Sequence, residues 1–337
     1  MTYKEFASVW EKGQIPGCLC FEGTEEYSKE KSLSMLREKV LQGEFPEMNE
    51  TVLNDPDADT LIAACETLPF MAEKRLVTVR ESSLLTGNKP KEYDEDKAVE
   101  QLKEYLPRLP STVCLVYYVR GKADGRKKFW KVLQKQGSIV SFSAPEDQEL
   151  TQWVRDQAKE RGKTMDEDSA QRLWFTAGKD MTLLGNELDK LRDYTGKEKK
   201  ITAADIDAIC TKTTEYKVFD LSGLLLTNQG KKAFDLLNTM LTDGERQVNL
   251  LSMLGRQCRQ LLFMYDYTDA YSAASGLGIP YGAAKELREA QKHYTKLRME
   301  SICDECLETE YKIKSGELEE NGALEKIMLR ILALYKP

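Results

Sequence analysis

The sequence predicts an α/β domain followed by a long all-helical region, and three observations carry that reading. Up to about residue 143, short β-branched and apolar runs alternate with segments of helical period, the order expected of a mostly parallel sheet with helices on both faces. From Ser143-Ala144-Pro145 onward the strand signal disappears, and every segment to the C-terminus has helical spacing. At 337 residues the chain is too long for one ordinary core and suits two or three domains.

In chain order, Tyr3 to Lys12 reads as a helix with Phe6 and Trp10 on one face, stopped by Gly13. Cys18-Leu19-Cys20-Phe21 is a short buried strand, Glu22-Gly23 a turn, and Glu25 to about Gln42 a charged amphipathic helix. Strand, glycine turn and helix is how a nucleotide-binding domain begins, so the phosphate-loop test has to be made. The stretch fails it. Lys31-Ser32 is present, but Glu30 stands where the glycine before the lysine should be, and Glu25 and Glu26 put negative charge where phosphate should sit.

Asp57 to Thr67 is a helix with an acidic start, and Leu76 to Val79 is the next strand. Asp94 to Leu106 is a helix, Thr112 to Val119 a strong central strand, Gly125 to Gln136 a helix and Ser138 to Phe142 the last strand. Arg120-Gly121-Lys122 follows the central strand where an acidic pair would hold Mg²⁺, which removes that carboxylate as well.

Between the Asp57 to Thr67 helix and the Leu76 to Val79 strand lies Leu68-Pro69-Phe70-Met71. Pro69 cannot sit in a helix interior, so the quartet falls at a helix end or in the following turn. Three large apolar side chains hemmed by Glu66, Glu73, Lys74 and Arg75 are either a plug into this protein's own core or a peg for another protein's pocket. A basic concentration follows: Arg120, Lys122, Arg126, Lys127, Lys128, Lys131 and Lys135, with Phe129 and Trp130 among them. It reads as a solvated helix face with aromatics packed on the sheet, or as a contact with the DNA backbone through Lys122, Arg126, Lys127 and Lys128.

The helical region starts with Leu150 to Arg161, Glu167 to Phe175, Met181 to Tyr194 and a short helix from Thr202 to Cys210, with glycine stops at Gly162, Gly178 and Gly196. The polar run Thr211 to Thr214 looks like a linker. Val218 to Leu226, Lys231 to Leu241, Glu245 to about Tyr271, Tyr281 to His293, Lys296 to Lys314 and Gly322 to Tyr335 then form a last helical domain.

Composition narrows the function classes. A net charge of -7 argues against a protein that grips nucleic acid alone through a general basic surface. The single histidine, His293, makes histidine-based catalysis unpromising, and it is assigned to a helix surface or interface. The eight cysteines lie mostly inside apolar segments and suit reduced core thiols. Cys303 and Cys306 have metal-like spacing, but lie one turn apart on a predicted helix with no second pair nearby and read as core-facing residues. No metal or cofactor is expected. With no apolar stretch of membrane-spanning length and no leader pattern at Met1-Thr2-Tyr3-Lys4-Glu5, the chain reads as cytoplasmic. Ala274 to Tyr281 and the helix after it look like a helix-turn-helix whose Lys285, Arg288 and Lys292 could face DNA, but Glu286 and Glu289 interleave with them, so packing is the reading preferred.

Several of these pieces together resemble the delta-subunit family of the bacterial DNA polymerase III clamp loader. The carriers are Phe21-Glu22-Gly23-Thr24-Glu25-Glu26-Tyr27; Glu66 to Met71 with Arg75-Leu76-Val77; Leu150 to Val154; Leu184 to Leu191; Glu215 to Leu221; and Lys312 to Gly316. Their order and spacing are more specific than any one of them. The resemblance implies an AAA+-like parallel-sheet domain without a phosphate loop over 1–143, a small helical lid over 144–213 and a helical collar over 214–337. It implies a subunit with no catalytic residue of its own, joined in a hetero-pentamer with the tau/gamma motor subunits and delta prime, which opens the beta sliding clamp for loading onto primed DNA. An apolar pair at a helix tip enters a pocket on the clamp in that family; by position it falls on Phe70 and Met71, preceded by Leu68 and Pro69. Met71 departs from the two aromatics or Leu-Phe often found there. Burying the pair is worth roughly 3 to 6 kcal/mol. On this division of labour Leu68 and Pro69 anchor the helix end while Phe70 and Met71 project. The residues alone leave two alternatives, an ATP-dependent AAA+ enzyme and a helix-turn-helix regulator.

Overall fold

The computed structural model describes residues 16–87, 93–136 and 139–336; the helix expected over Tyr3 to Lys12 and the first residue of the last expected strand lie outside them. The chain divides into two compact units, residues 1–144 and 145–337.

The first unit is built on a five-stranded sheet of order β2-β3-β4-β1-β5. Its strands are β1 (Cys18–Glu22), β2 (Glu50–Asn54), β3 (Arg75–Arg80), β4 (Val113–Tyr118) and β5 (Ile139–Ser141), and every pairing is parallel. Parallel strands need crossovers, which α1 (Glu26–Val40), α2 (Ala58–Glu66), α3 (Glu95–Tyr105) and α4 (Lys128–Lys135) supply. Strands β1, β3 and β4 are buried almost throughout because both faces are covered, and the period of two divides the core. Cys18, Cys20, Val77, Val79, Leu115 and Tyr117 pack on one face against Leu61, Val99, Leu102, Phe129 and Leu133 of α2 to α4. Leu19, Phe21, Leu76, Val116 and Tyr118 pack on the other against Leu33, Leu36 and Val40 of α1.

Strand β2 is an addition to the sequence reading. It lies at the sheet edge with Val52 exposed, and its Glu50 is engaged by Arg37 at 2.6 Å, so Glu-Thr-Val-Leu-Asn never accumulates the apolar content of a buried strand. Helix α4 starts at Lys128 rather than Gly125, because Asp124 makes a turn first: its carbonyl accepts from Lys127 N at 3.0 Å and its carboxylate from Arg126 N at 3.0 Å. Gly23 is required where β1 turns toward α1. Its φ is +119°, and a Cβ there would lie 2.0 Å from the Phe142 carbonyl oxygen.

Apart from one isolated parallel bridge between Thr164 and Lys200, the regular structure of the second unit is helical among the described residues. Helices α5 (Asp147–Glu160), α6 (Glu167–Ala177), α7 (Met181–Thr195) and α8 (Ala203–Ile209) come first. Asp166 and Asp180 cap α6 and α7, Thr202 and Asp205 form a capping box on α8, and Gly162, Gly178 and Gly196 follow helix ends with positive φ. Then come α9 (Thr214–Leu226), α10 (Gly230–Thr242), α11 (Gln247–Phe263), α12 (Ala270–Leu277), α13 (Tyr281–Gln291), α14 (Lys296–Ser315) and α15 (Ala323–Ala333). One apolar cluster running from Val218 to Ile331 joins them.

Two expectations change here. Thr211 to Thr214 is not a free linker: Thr213 caps α9 by accepting from Tyr216 N, and its own N–H donates to the Thr176 carbonyl at 3.0 Å. The helix expected from Glu245 to Tyr271 stops at Phe263, because a 3-10 turn over Met264–Asp266 leads to an extended Tyr267, and Asp269 caps a new helix by accepting from Tyr271 N and Ser272 N. Cys303 and Cys306 are buried in the core of this unit, one turn apart as expected.

Candidate functional site

Helix α2 begins where Asp57 accepts from Thr60 N at 2.7 Å and ends at Glu66, three residues before Pro69 could break it. Buried Arg75 fastens that end to the sheet, donating to the Thr67 carbonyl at 3.1 Å and to Thr51 Oγ1 at 2.7 Å. Leu68, Phe70 and Met71 then emerge 80%, 45% and 73% exposed, with Pro69 half-buried between them. The expected division of labour is therefore corrected. Leu68 anchors nothing; it is the most exposed of the three, and Arg75 holds the helix end instead. Met71 has φ +48°, an uncommon conformation for a side chain of its kind.

Beneath the quartet lies Asn49, only 1% exposed, at the end of a 3-10 turn over Pro46–Asn49. Its carboxamide accepts from Phe70 N at 2.7 Å and donates to the Phe70 carbonyl at 2.9 Å and the Phe45 carbonyl at 3.1 Å. The Phe45 ring meets the Phe70 ring edge to face at 5.7 Å. Sequence reasoning missed Asn49, Phe45 and Met48, because the contact spans 21 residues and no periodicity links its ends. The one local signal was a pair of large apolar residues in an otherwise polar stretch, Gly43-Glu44-Phe45-Pro46-Glu47-Met48-Asn49.

At the start of α1, where a phosphate would meet a helix N-terminus, the chain supplies its own carboxylates. Glu25 accepts from Tyr27 N at 3.1 Å and Ser28 N at 2.6 Å. Glu26 accepts from Gly121 N at 3.0 Å, the Tyr118 hydroxyl at 2.9 Å and the Lys29 ammonium at 2.6 Å. Burial pushes the Glu26 carboxyl up, but the bonds from Lys29, Gly121 and Tyr118 outweigh it and hold the group below its ordinary value. Lys29 is fully buried and also donates to the Val119 carbonyl at 2.8 Å.

The four basic candidates do not form an open cationic patch. Arg126 makes a two-pronged pair with Asp124 at 2.9 Å for each bond, Lys127 pairs with Glu95 at 3.0 Å, and Lys128 with Asp96 at 2.8 Å. Among the described residues Lys122 alone of the four has no ion pair, and it is exposed. Phe129 is buried against Tyr117 with ring centroids 5.2 Å apart. In the second unit, Arg288 donates to the carbonyls of Met264 at 3.1 Å and Tyr267 at 2.8 Å, as packing rather than base reading requires, and Lys292 pairs with Glu289 in an exposed contact one turn away. His293 stacks on Tyr335 at 4.6 Å, just beyond the end of α13.

Two family models match the chain: "DNA polymerase III, delta subunit" over residues 19–143 and "DNA polymerase III delta subunit, C-terminal domain" over residues 215–331. A protein named DNA polymerase III subunit delta from Bacillus subtilis (strain 168) is 26% identical over 334 residues, which is 96% of each chain. One of the same name from Escherichia coli (strain K12) is 23% identical over 218 residues, 63% of this chain and 60% of its own. Among solved structures, the Bacillus subtilis DNA clamp loader delta protein has the same fold, with a TM-score of 0.55 at 22% identity, covering 98% of this chain and 99% of that one.

Proposed function

Since the chain belongs to the family of DNA polymerase III delta subunits, we propose that it binds the beta sliding clamp through Leu68, Pro69, Phe70 and Met71 and opens the ring for loading onto primed DNA. The observation that carries this reading is the exposure of three large apolar side chains on a backbone that Arg75 and Asn49 hold from below. A peg held in one shape loses little conformational freedom on docking.

Phe70 is already half-covered by its own chain, so it and Met71 have roughly 2 to 3.5 kcal/mol left to gain in a pocket. Including Leu68 restores roughly 3 to 6 kcal/mol. Opening needs no chemistry: tighter binding to the open ring than to the closed one shifts the clamp's equilibrium.

In this reading the subunit has no catalytic residue of its own, and nucleotide hydrolysis belongs to the tau/gamma motor subunits. Glu25 and Glu26 support that, because they fill the helix end a phosphate would use. Residues 1–143 carry the peg, 144–213 form the lid, and 214–337 form the collar that joins the motor subunits and delta prime in a pentamer. Primed DNA is met through the assembled complex, with Lys122 the basic candidate that has no ion pair among the described residues. The complex works in the cytoplasm; among the described residues no helix is long and apolar enough to cross a membrane.

Calorimetric titration of the cognate clamp with the wild type and with Phe70→Ala/Met71→Ala tests the reading. At least a tenfold loss of affinity is expected, about 1.4 kcal/mol, with the fold unchanged. Undiminished binding by the variant overturns the site, and a wild type that does not bind overturns the function.

A further inference from the structure

Resting on the clamp-docking reading above, we infer that the docking element is built from two segments, residues 45–49 and 68–71, and that Asn49 is the positioning residue that holds them together. The carboxamide of Asn49 pairs with both backbone groups of Phe70, as a neighbouring strand would, and spends its remaining donor bond on Phe45. Phe70 is thus fixed by its main chain, which leaves its side chain free to stay half-exposed. A buried polar side chain with its bonds satisfied gives a rigid support, and here the support lies directly under the peg.

The second segment adds apolar surface of its own. Phe45 and Met48 are 40% and 58% exposed, and the Phe45 ring packs on the Phe70 ring at 5.7 Å. At the other end, Gly43 lies close enough that a Cβ on it would be 3.4 Å from the Met71 carbonyl oxygen. The Phe45–Phe70 contact therefore joins two distant stretches that between them expose five large apolar side chains, Phe45, Met48, Leu68, Phe70 and Met71. Exposed carboxylates of Glu44, Glu47 and Glu73 lie within or close beside the same two segments. The matching partner surface is an apolar pocket edged by cationic groups, and the occupant is the sliding clamp.

Titrations of the cognate clamp with the full chain separate this inference from the reading it rests on. Asn49→Ala is expected to lose about tenfold in affinity, yet less than twofold when made in Phe70→Ala, because it acts through Phe70. Phe45→Ala/Met48→Ala, which leaves the clasp intact, is expected to lose at least fivefold. If Asn49→Ala does not fold, Asn49→Asp keeps the acceptor for Phe70 N–H but loses both donor bonds, and is expected to show the same coupling. Near-wild-type affinity for the Asn49 and the Phe45/Met48 variants, beside a weakened Phe70→Ala, overturns the two-segment element and leaves the single peg standing. Additive losses for Asn49 and Phe70 overturn the positioning role. Unimpaired binding by Phe70→Ala/Met71→Ala, or a wild type that does not bind, overturns both readings together.

Discussion

The ammonium of Lys29 lies 2.6 Å from Glu26 Oε1 and 2.8 Å from the Val119 carbonyl, with none of the lysine exposed to solvent. Burying a charge is tolerated only where partners meet it, so this pair ties α1 to the end of β4 at the turn where a nucleotide-binding chain would hold phosphate. Lys29→Ala removes the donor and opens a cavity, and is expected to destabilise the protein by about 3 kcal/mol in urea unfolding. Lys29→Met keeps most of the volume and lets half-exposed Glu26 hydrate, so it should cost less. Equal midpoints for Lys29→Ala and wild type would contradict the structural role.

Acid should weaken the same corner. The folded Glu26 carboxyl lies below its ordinary value of 4.5: burial opposes this, but the bonds from Lys29, the Gly121 amide and Tyr118 prevail. A lowered acid contributes stability that is fully present above its unfolded value and disappears as pH falls through the folded one. The urea midpoint of the wild type is therefore expected to drop below about pH 4.5. Glu26→Gln should start lower at neutral pH and fall less steeply over the same range. Parallel pH profiles would remove Glu26 from the account.

Gly23 sets a steric limit beside it. An added Cβ would meet the Phe142 carbonyl oxygen at 2.0 Å, and backbone cannot swing aside as a side chain end does. Gly23→Ala is expected to cost about 2 to 4 kcal/mol in thermal or urea unfolding, from strain at φ +119° plus displacement of the chain after β5. A Tm within a degree of wild type would mean the β1 turn relaxes freely.

The fold was legible in the sequence where period and burial agree. Val113 to Tyr118 is buried at every position, and such a run has few other readings. Helices with Asp or Thr starts and glycine stops were legible because their ends are set by local bonds, as at Asp166 and Gly178. Strand β2 escaped because an edge strand needs apolar residues on only part of its surface. The break after Phe263 escaped because Leu261, Leu262 and Met264 continue the apolar pattern past the point where the chain turns. At the site, Phe70 and Met71 were readable as large apolar residues beside a proline, and the family resemblance singled them out. Their support was not readable, since Arg75 to Thr67 and Asn49 to Phe70 are tertiary contacts that no spacing encodes.

Leu68 gives the sharpest contrast between stability and docking. It is 80% exposed, so Leu68→Ala removes almost nothing from the folded core and should leave the urea midpoint unchanged. Phe70 packs on Phe45, so Phe70→Ala should lower the midpoint slightly while also weakening docking. In a titration against the clamp, Leu68→Ala is expected to cost about 1 to 2 kcal/mol, roughly five- to thirtyfold in affinity, because nearly all of its side chain remains to be buried. If Leu68→Ala bound the clamp like wild type while Phe70→Ala did not, the pocket would be taking Phe70 and Met71 alone, and Leu68 would face solvent in the complex as it does in the free chain.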